Sequence, residues 1–246
     1  MKFLNWKIWV SLSLIALSVA FYAVNYLIFR DAGYMFRLLL AQLGFLPISV
    51  LLVTIIVNQL LAQRARAAKL SKLNMVIGTF LSEVGTQLLK MISAYDPKAA
   101  DFRQNLGSLA HWSDADFAGF PKRLADYKFE MDAAAGDLRT LRDFLESKKD
   151  FLLRLLENPN LLEHDSFSNL LLAVFHLSEE LSQRHDLEHL SPADREHLAV
   201  DLKRAYTRLI KEWLAYLGHL SQNYPYLFSL ALRTNPFDPA ASPEIK

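Results

Sequence analysis

The sequence predicts an all-α protein in three parts: an N-terminal two-helix transmembrane hairpin, a long helix continuing from the second span, and a cytoplasmic antiparallel helical bundle. Three observations carry this reading. Two apolar runs near the N-terminus contain no charged residue. Helical hydrophobic spacing resumes directly after the second run, without a stop signal. The remaining chain carries repeated helix caps and breakers but no convincing strand pattern. The expected boundaries are a hairpin over 1–63, a connecting helix over 64–95, a bundle over 96–239 and a mobile tail over 240–246.

Ile8–Phe29 spans 22 residues without a charge, and Leu38–Gln63 spans 26. About 20 apolar residues cross a bilayer core as a helix, so both runs qualify. The residues between them, including Asp31 and Gly33, read as a tight connection of about eight residues, 30–37. Lys2 and Lys7 precede the first run, and Arg64, Arg66, Lys69 and Lys72 follow the second. Basic residues mark the cytoplasmic side, so both termini are expected there, with the second basic group at the lipid headgroups. A cleaved signal peptide is the rival reading, because Ser18-Val19-Ala20 has the small-x-small form of a cleavage site. The apolar run continues nine residues beyond that site, which favours a span.

Residues 1–72 carry a net charge of +7 and residues 73–246 a net charge of −6. The basic end suits anionic headgroups, at roughly 1 kcal/mol per basic residue. The acidic body argues against nucleic acid, whose binding is driven by basic surfaces. There is no cysteine, which excludes disulfides and thiolate metal sites.

Leu73, Ile77, Phe80, Val84, Leu88 and Met91 recur at helical spacing. One rod from the second span to about Ser93 follows, ended by Asp96-Pro97; its part beyond Arg64 would measure roughly 45 Å. A break near Ala67-Ala68 is the alternative. Ser71, Gly78 and Gly85 stand seven apart on this rod, as do Ser11, Ser18 and Asn25 on the first run. Glycine inside a helix costs about 1 kcal/mol against alanine, so such a stripe implies close packing, within the protomer or between copies. Gln42, Ser49, Thr54, Asn58 and Gln59 could line a pore or could hold the hairpin together. Pro47 predicts a kink.

Beyond Pro97 a short helix is expected over Lys98–Ala110. Ser113 caps the next, with Asp116 at its third position. Pro121 to Glu157 reads as mostly helical, with Gly136 as the weak point, and Asn158-Pro159 as the stop. Asp165 or Ser166 caps a helix to about His185. Ser191, Pro192 and Asp194 begin one that continues to about Gln222. Pro225 restarts a short helix in "NYPYLFSLALRTNPFDP", too apolar for a free tail.

Six of the seven histidines fall between 164 and 219. His185 and His189 are four apart, and an antiparallel pairing around Leu190 would bring His197 near them, a weak metal site at a bundle end. His176 and His219, among apolar neighbours, read as core or boundary residues rather than ligands, and no Glu-x-x-His pair occurs in either helix. No Gly-rich phosphate loop, G-x-S-x-G or H-E-x-x-H is present, so no catalytic residue and no cofactor is expected.

The stretches "FLPISVLLVTIIVNQLL", "LNMVIGTFLSEVG" and "NYPYLFSLALRTNPFDP" resemble a family of uncharacterised bacterial proteins with two spans and a helical cytoplasmic domain. The resemblance covers nearly the whole chain. It implies this architecture in a bacterial inner membrane, and it implies no activity or site residues. The leading functional expectation is a membrane-anchored, non-enzymatic adaptor or sensor, homo-oligomeric, with a cytoplasmic protein partner. An oligomeric channel lined by the second span is the alternative, and metal binding by the histidine turn the third.

Overall fold

In the computed structural model of the chain, residues 2–107, 109–158, 161 and 164–244 are described, without the side chains of 2–5, 7 and 67–69. The Lys2, Lys7 and Lys69 side chains, Pro159 and the last two residues of the tail, about which the sequence raised expectations, therefore lie outside the described set. All regular structure among the described residues is helical. The chain divides into two compact units, Met1–Ala67 and Ala68–Lys246.

The first unit contains α1 (Lys2–Phe29) and the first part of α2 (Ala32–Phe80). Their connection is two residues rather than the expected eight. Arg30 takes a left-handed φ of 50° and its amide returns to the Tyr26 carbonyl at 2.9 Å, ending α1. Asp31 then caps α2, accepting from the Tyr34 amide at 2.8 Å. Arg30 and Asp31 thus make the turn by themselves, and Gly33 lies already inside α2. Tyr22 donates to Gln42 Oε1 at 2.5 Å, tying α1 to α2. Large apolar side chains such as Phe21, Leu27, Phe45 and Val53 remain uncovered. Both helices are long and apolar enough to cross a membrane. α2 continues through Pro47, which lacks the amide that would bond the Leu43 carbonyl.

The second unit is a helical bundle with one hydrophobic core. The segment expected to connect, 64–95, contributes to it directly: Leu73, Ile77, Phe80, Val84, Leu88 and Ile92 are buried. After Phe80 the helix widens into a π turn, Leu81–Gly85, in which the Thr86 amide reaches the Leu81 carbonyl. It tightens again as α3 (Thr86–Ser93). The Pro97 region is followed by α4 (Ala99–Leu106), closed by Gly107 at φ 59°, and by a 3₁₀ turn, Leu109–His111. Ser113 caps α5 (Asp114–Asp126) as expected, and Asp116 at the third position returns to the Ser113 amide to close a capping box.

The mostly helical stretch expected from Pro121 to Glu157 is broken at its weak point, Gly136, but over a longer segment. Residues 127–137 are irregular, and α6 (Leu138–Ser147) and α7 (Lys149–Leu156) follow separately. Aromatic burial decides this. Phe129 is buried against Phe102, Tyr127 and Tyr206, and the Asp132 amide donates to the Tyr95 carbonyl at 2.8 Å. Gly136 is needed where it stands, since a Cβ there would lie 2.6 Å from the Tyr95 ring.

His164 caps α8 (Asp165–Ser182) through its ring nitrogen, in place of the expected Asp165 or Ser166. Ser191 caps α9 (Pro192–Asn223) as expected, and α10 (Pro225–Arg233) follows. The most extensive contact in the bundle is between α8 and α9. α9 also meets α3, α5 and α10, so it forms the centre of the unit. Phe237, beyond α10, is buried against Trp213 and Phe102, which holds the aromatic C-terminal stretch on the core.

Candidate functional site

Two short sequence repeats on the central helix pair build the site. His176 and Glu180 are four apart on α8, and His197 and Asp201 are four apart on α9. That spacing puts each pair on one face of its helix. The α8–α9 register is antiparallel, so His176 meets Asp201 and Glu180 meets His197. His176 Nε2 lies 3.4 Å from Asp201 Oδ2 and 3.9 Å from Glu180 Oε1. His197 Nε2 lies 3.3 Å from Glu180 Oε2 and 3.4 Å from Asp201 Oδ2. One ligand-type atom from each of the four residues falls within 4.8 Å of the others.

The burial is graded. Both imidazoles are about half exposed, whereas the Asp201 side chain is 2% exposed. Its Oδ1 is held by Arg204, but its buried Oδ2 accepts no hydrogen bond. A buried carboxylate oxygen without a donor is costly, so this atom marks the floor of the site. Arg184 donates to Glu180 Oε2 at 2.7 Å and also pairs with Asp194. The Arg184 hydrogen bond, more than any other influence, holds the Glu180 carboxyl below its ordinary range, so Glu180 stays ionised.

The expected histidine trio is not assembled. His197 joins His176, while His185 and His189 lie in the connection after α8, which ends at Ser182. The four-residue spacing of His185 and His189 therefore does not place them on a helix face. His189 instead pairs with Asp186 at 2.9 Å in the solvated turn. His176, read as a core or boundary residue rather than a ligand, is a member of the cluster. The usable signal was the repeat His-x-x-x-Glu and His-x-x-x-Asp, on helices read as antiparallel neighbours.

The other singled-out residues separate by unit. Ser18, Asn25 and Gln42 line a cavity between α1 and α2, with Gln42 taken by Tyr22, while Ser11 is exposed. Ser49 bonds back to the Phe45 carbonyl, and Asn58 and Gln59 are exposed. Arg64, Arg66 and Lys72 are exposed, as is Ser71. Gly78 faces the Tyr216 ring, and Gly85 packs against Phe80, Leu81 and Leu209. These two glycines serve contacts inside the bundle.

Comparison with known proteins divides the chain at the same place as its folding. Residues 1–61 match a family described as MJ1433, N-terminal helical domain, and residues 69–233 match one described as Uncharacterized protein MJ1433, C-terminal helical domain. The Uncharacterized protein MJ1433 of Methanocaldococcus jannaschii is 46% identical over 229 residues, covering 93% of this chain and 92% of that protein. This relative is archaeal, where the resemblance in the sequence implied bacterial proteins. No solved structure matches. The two matched segments and a relative similar over nearly its full length lead to one assignment: the chain belongs to the MJ1433 family.

Proposed function

We propose that the protein is a membrane-anchored helical adaptor or sensor. In this reading α1 and the first part of α2 cross the cytoplasmic membrane as a hairpin, both termini are cytoplasmic, and the bundle is presented to the cytoplasm. The observation that carries the membrane anchoring is the uncovered apolar surface of the first unit; the adaptor or sensor role is supported by the separate bundle that the anchor presents. The apolar windows of both helices have none of their residues buried, yet the second unit has a complete core of its own. Exposing that much apolar surface to water is unfavourable by roughly 25 cal/mol per Å², and a bilayer removes the cost. The basic residues Arg64, Arg66 and Lys72 support the orientation.

The absence of native cysteine makes the topology directly testable. Single cysteines are introduced at Tyr34, in the first turn of α2, and at Ser242, near the C-terminus. In intact cells a membrane-impermeant maleimide is expected to label Tyr34→Cys, and Ser242→Cys only after permeabilisation. Labelling of both in intact cells, or recovery of the protein in the soluble fraction, overturns the reading.

A further inference from the structure

We propose that His176, Glu180, His197 and Asp201 form a binding site for one divalent first-row transition metal ion, with Zn2+ the best-suited occupant. The site lies wholly within the second unit, and the proposal does not depend on the membrane reading.

The donor set is two imidazoles and two carboxylates. Imidazole nitrogen selects metals of the zinc, iron, cobalt and nickel group over the hard cations that prefer oxygen alone. Four such ligands complete a tetrahedron. With metal–ligand bonds of about 2.0–2.1 Å, the edges of that tetrahedron are roughly 3.3–3.4 Å. Asp201 Oδ2 stands 3.4 Å from both imidazole Nε2 atoms, Glu180 Oε2 stands 3.3 Å from His197, and the other Glu180 oxygen stands 3.9 Å from His176. Asp201 Oδ2 and the two imidazole nitrogens thus stand at tetrahedral spacing from one another across the N–O edges, and a small turn of the Glu180 carboxylate would bring one of its oxygens to the fourth position.

A cluster of histidine and acidic side chains can also form plain ion pairs. Asp201 distinguishes the two cases. Its Oδ2 is buried and lies 3.4 Å from both imidazole Nε2 atoms, yet neither donates a hydrogen bond to it. Both nitrogens approach at hydrogen-bond-like range without hydrogen-bond alignment, as atoms converging on a shared point do. A cation at that point satisfies the orphaned oxygen and both nitrogen lone pairs, with each imidazole carrying its proton on Nδ1. The surrounding charges accept it. Glu180, Asp194 and Asp201 face two guanidiniums, Arg184 and Arg204, leaving net negative charge. Arg204 holds the outer Asp201 oxygen and Arg184 holds Glu180, the kind of partner that orients a metal-bound carboxylate.

The two halves of the site come from α8 and α9, so an ion would clasp the central helix pair of the bundle. This gives the exposed mouth of the cluster a regulatory use: a change in free metal would alter how firmly that pair is joined.

The test is calorimetric titration of ZnCl2 into the full-length, tag-free protein in detergent micelles, after chelator treatment and dialysis. One Zn2+ per chain is expected, bound in the micromolar range or more tightly. Co2+ in its place should give the intense visible absorption of a tetrahedral site. His176→Gln and His197→Gln, each with an exposed side chain, should weaken binding at least tenfold singly and abolish it together. Melting of the metal-free variants at the wild-type temperature would show that ligands, not the fold, were lost. His185→Ala with His189→Ala should bind as the wild type does. Absence of stoichiometric Zn2+ binding, binding unchanged in His176→Gln with His197→Gln, or loss on removing His185 and His189 overturns the proposal and leaves an ion-pair cluster only.

Discussion

Gly78 shows how one residue can carry two opposite contributions. Inside a helix it is unfavourable by about 1 kcal/mol against alanine. Its place is explained by contact: a Cβ at this position would lie 2.8 Å from Tyr216 Cζ. Filling so tight a contact costs typically 1–3 kcal/mol, and leucine adds more volume than a single methyl. Gly78→Leu is therefore expected to lower the melting temperature, whereas Thr79→Leu, at an exposed neighbouring position, should change it little. Near 2–4 °C is expected for each kcal/mol in a chain of this size. A higher melting temperature for Gly78→Leu would mean that Tyr216 turns aside at no cost and helix propensity decides.

The α8–α9 pair is held by apolar packing and by the charged groups at its surface. Leu170, Val174, Leu177, Leu181, Leu198, Leu202 and Leu209 are buried between or beside the two helices. Glu180 adds a contribution that depends on pH. Its folded carboxyl is held below the ordinary glutamate range, so it stabilises the metal-free protein above that range and loses this as pH falls through its folded pKa. Arg184→Gln removes the principal cause. The melting-temperature gap between wild type and Arg184→Gln should be full near neutral pH and should shrink below about pH 4.3, the ordinary glutamate value. A gap that stays constant through that range would assign Arg184 to packing alone. Zinc binding would weaken in the same direction, because protons compete with the metal for its ligands as pH falls.

At the scale of the molecule, the chain holds two units that differ in how far their apolar side chains are covered. The first leaves its apolar side chains uncovered, and the second closes its own core around α9. The division at Ala67 and Ala68 falls inside α2, so one helix serves both. A segment beginning at Ala68 retains every residue of the second core, Leu73 through Phe237. It is expected to be soluble without detergent and to unfold in a single cooperative transition, with helical circular dichroism. Precipitation of this segment, or a broad non-cooperative melt, would show that the first unit is needed to complete the bundle. At a Zn2+ concentration of 100 Kd its stability should rise by about 2.7 kcal/mol.

What the sequence by itself determined is what depends on neighbours along the chain. Length and the absence of charge made Ile8–Phe29 and Leu38–Gln63 apolar helices, and Ser113 and Ser191 fixed helix starts through their own side-chain oxygens. The all-α class follows from those same local signals. Tertiary structure alone decided where distant segments meet. Residues 127–137 leave the helix because burying Phe129 among aromatic rings from other segments outweighs local propensity. The end of α8 at Ser182 separates His185 and His189 from any shared helix face. The cluster itself needed the register of α8 on α9, which sets His176 beside Asp201 and Glu180 beside His197. A shift of one helical turn, about 5.4 Å, would part them, and only the packing of the leucines beneath selects that register.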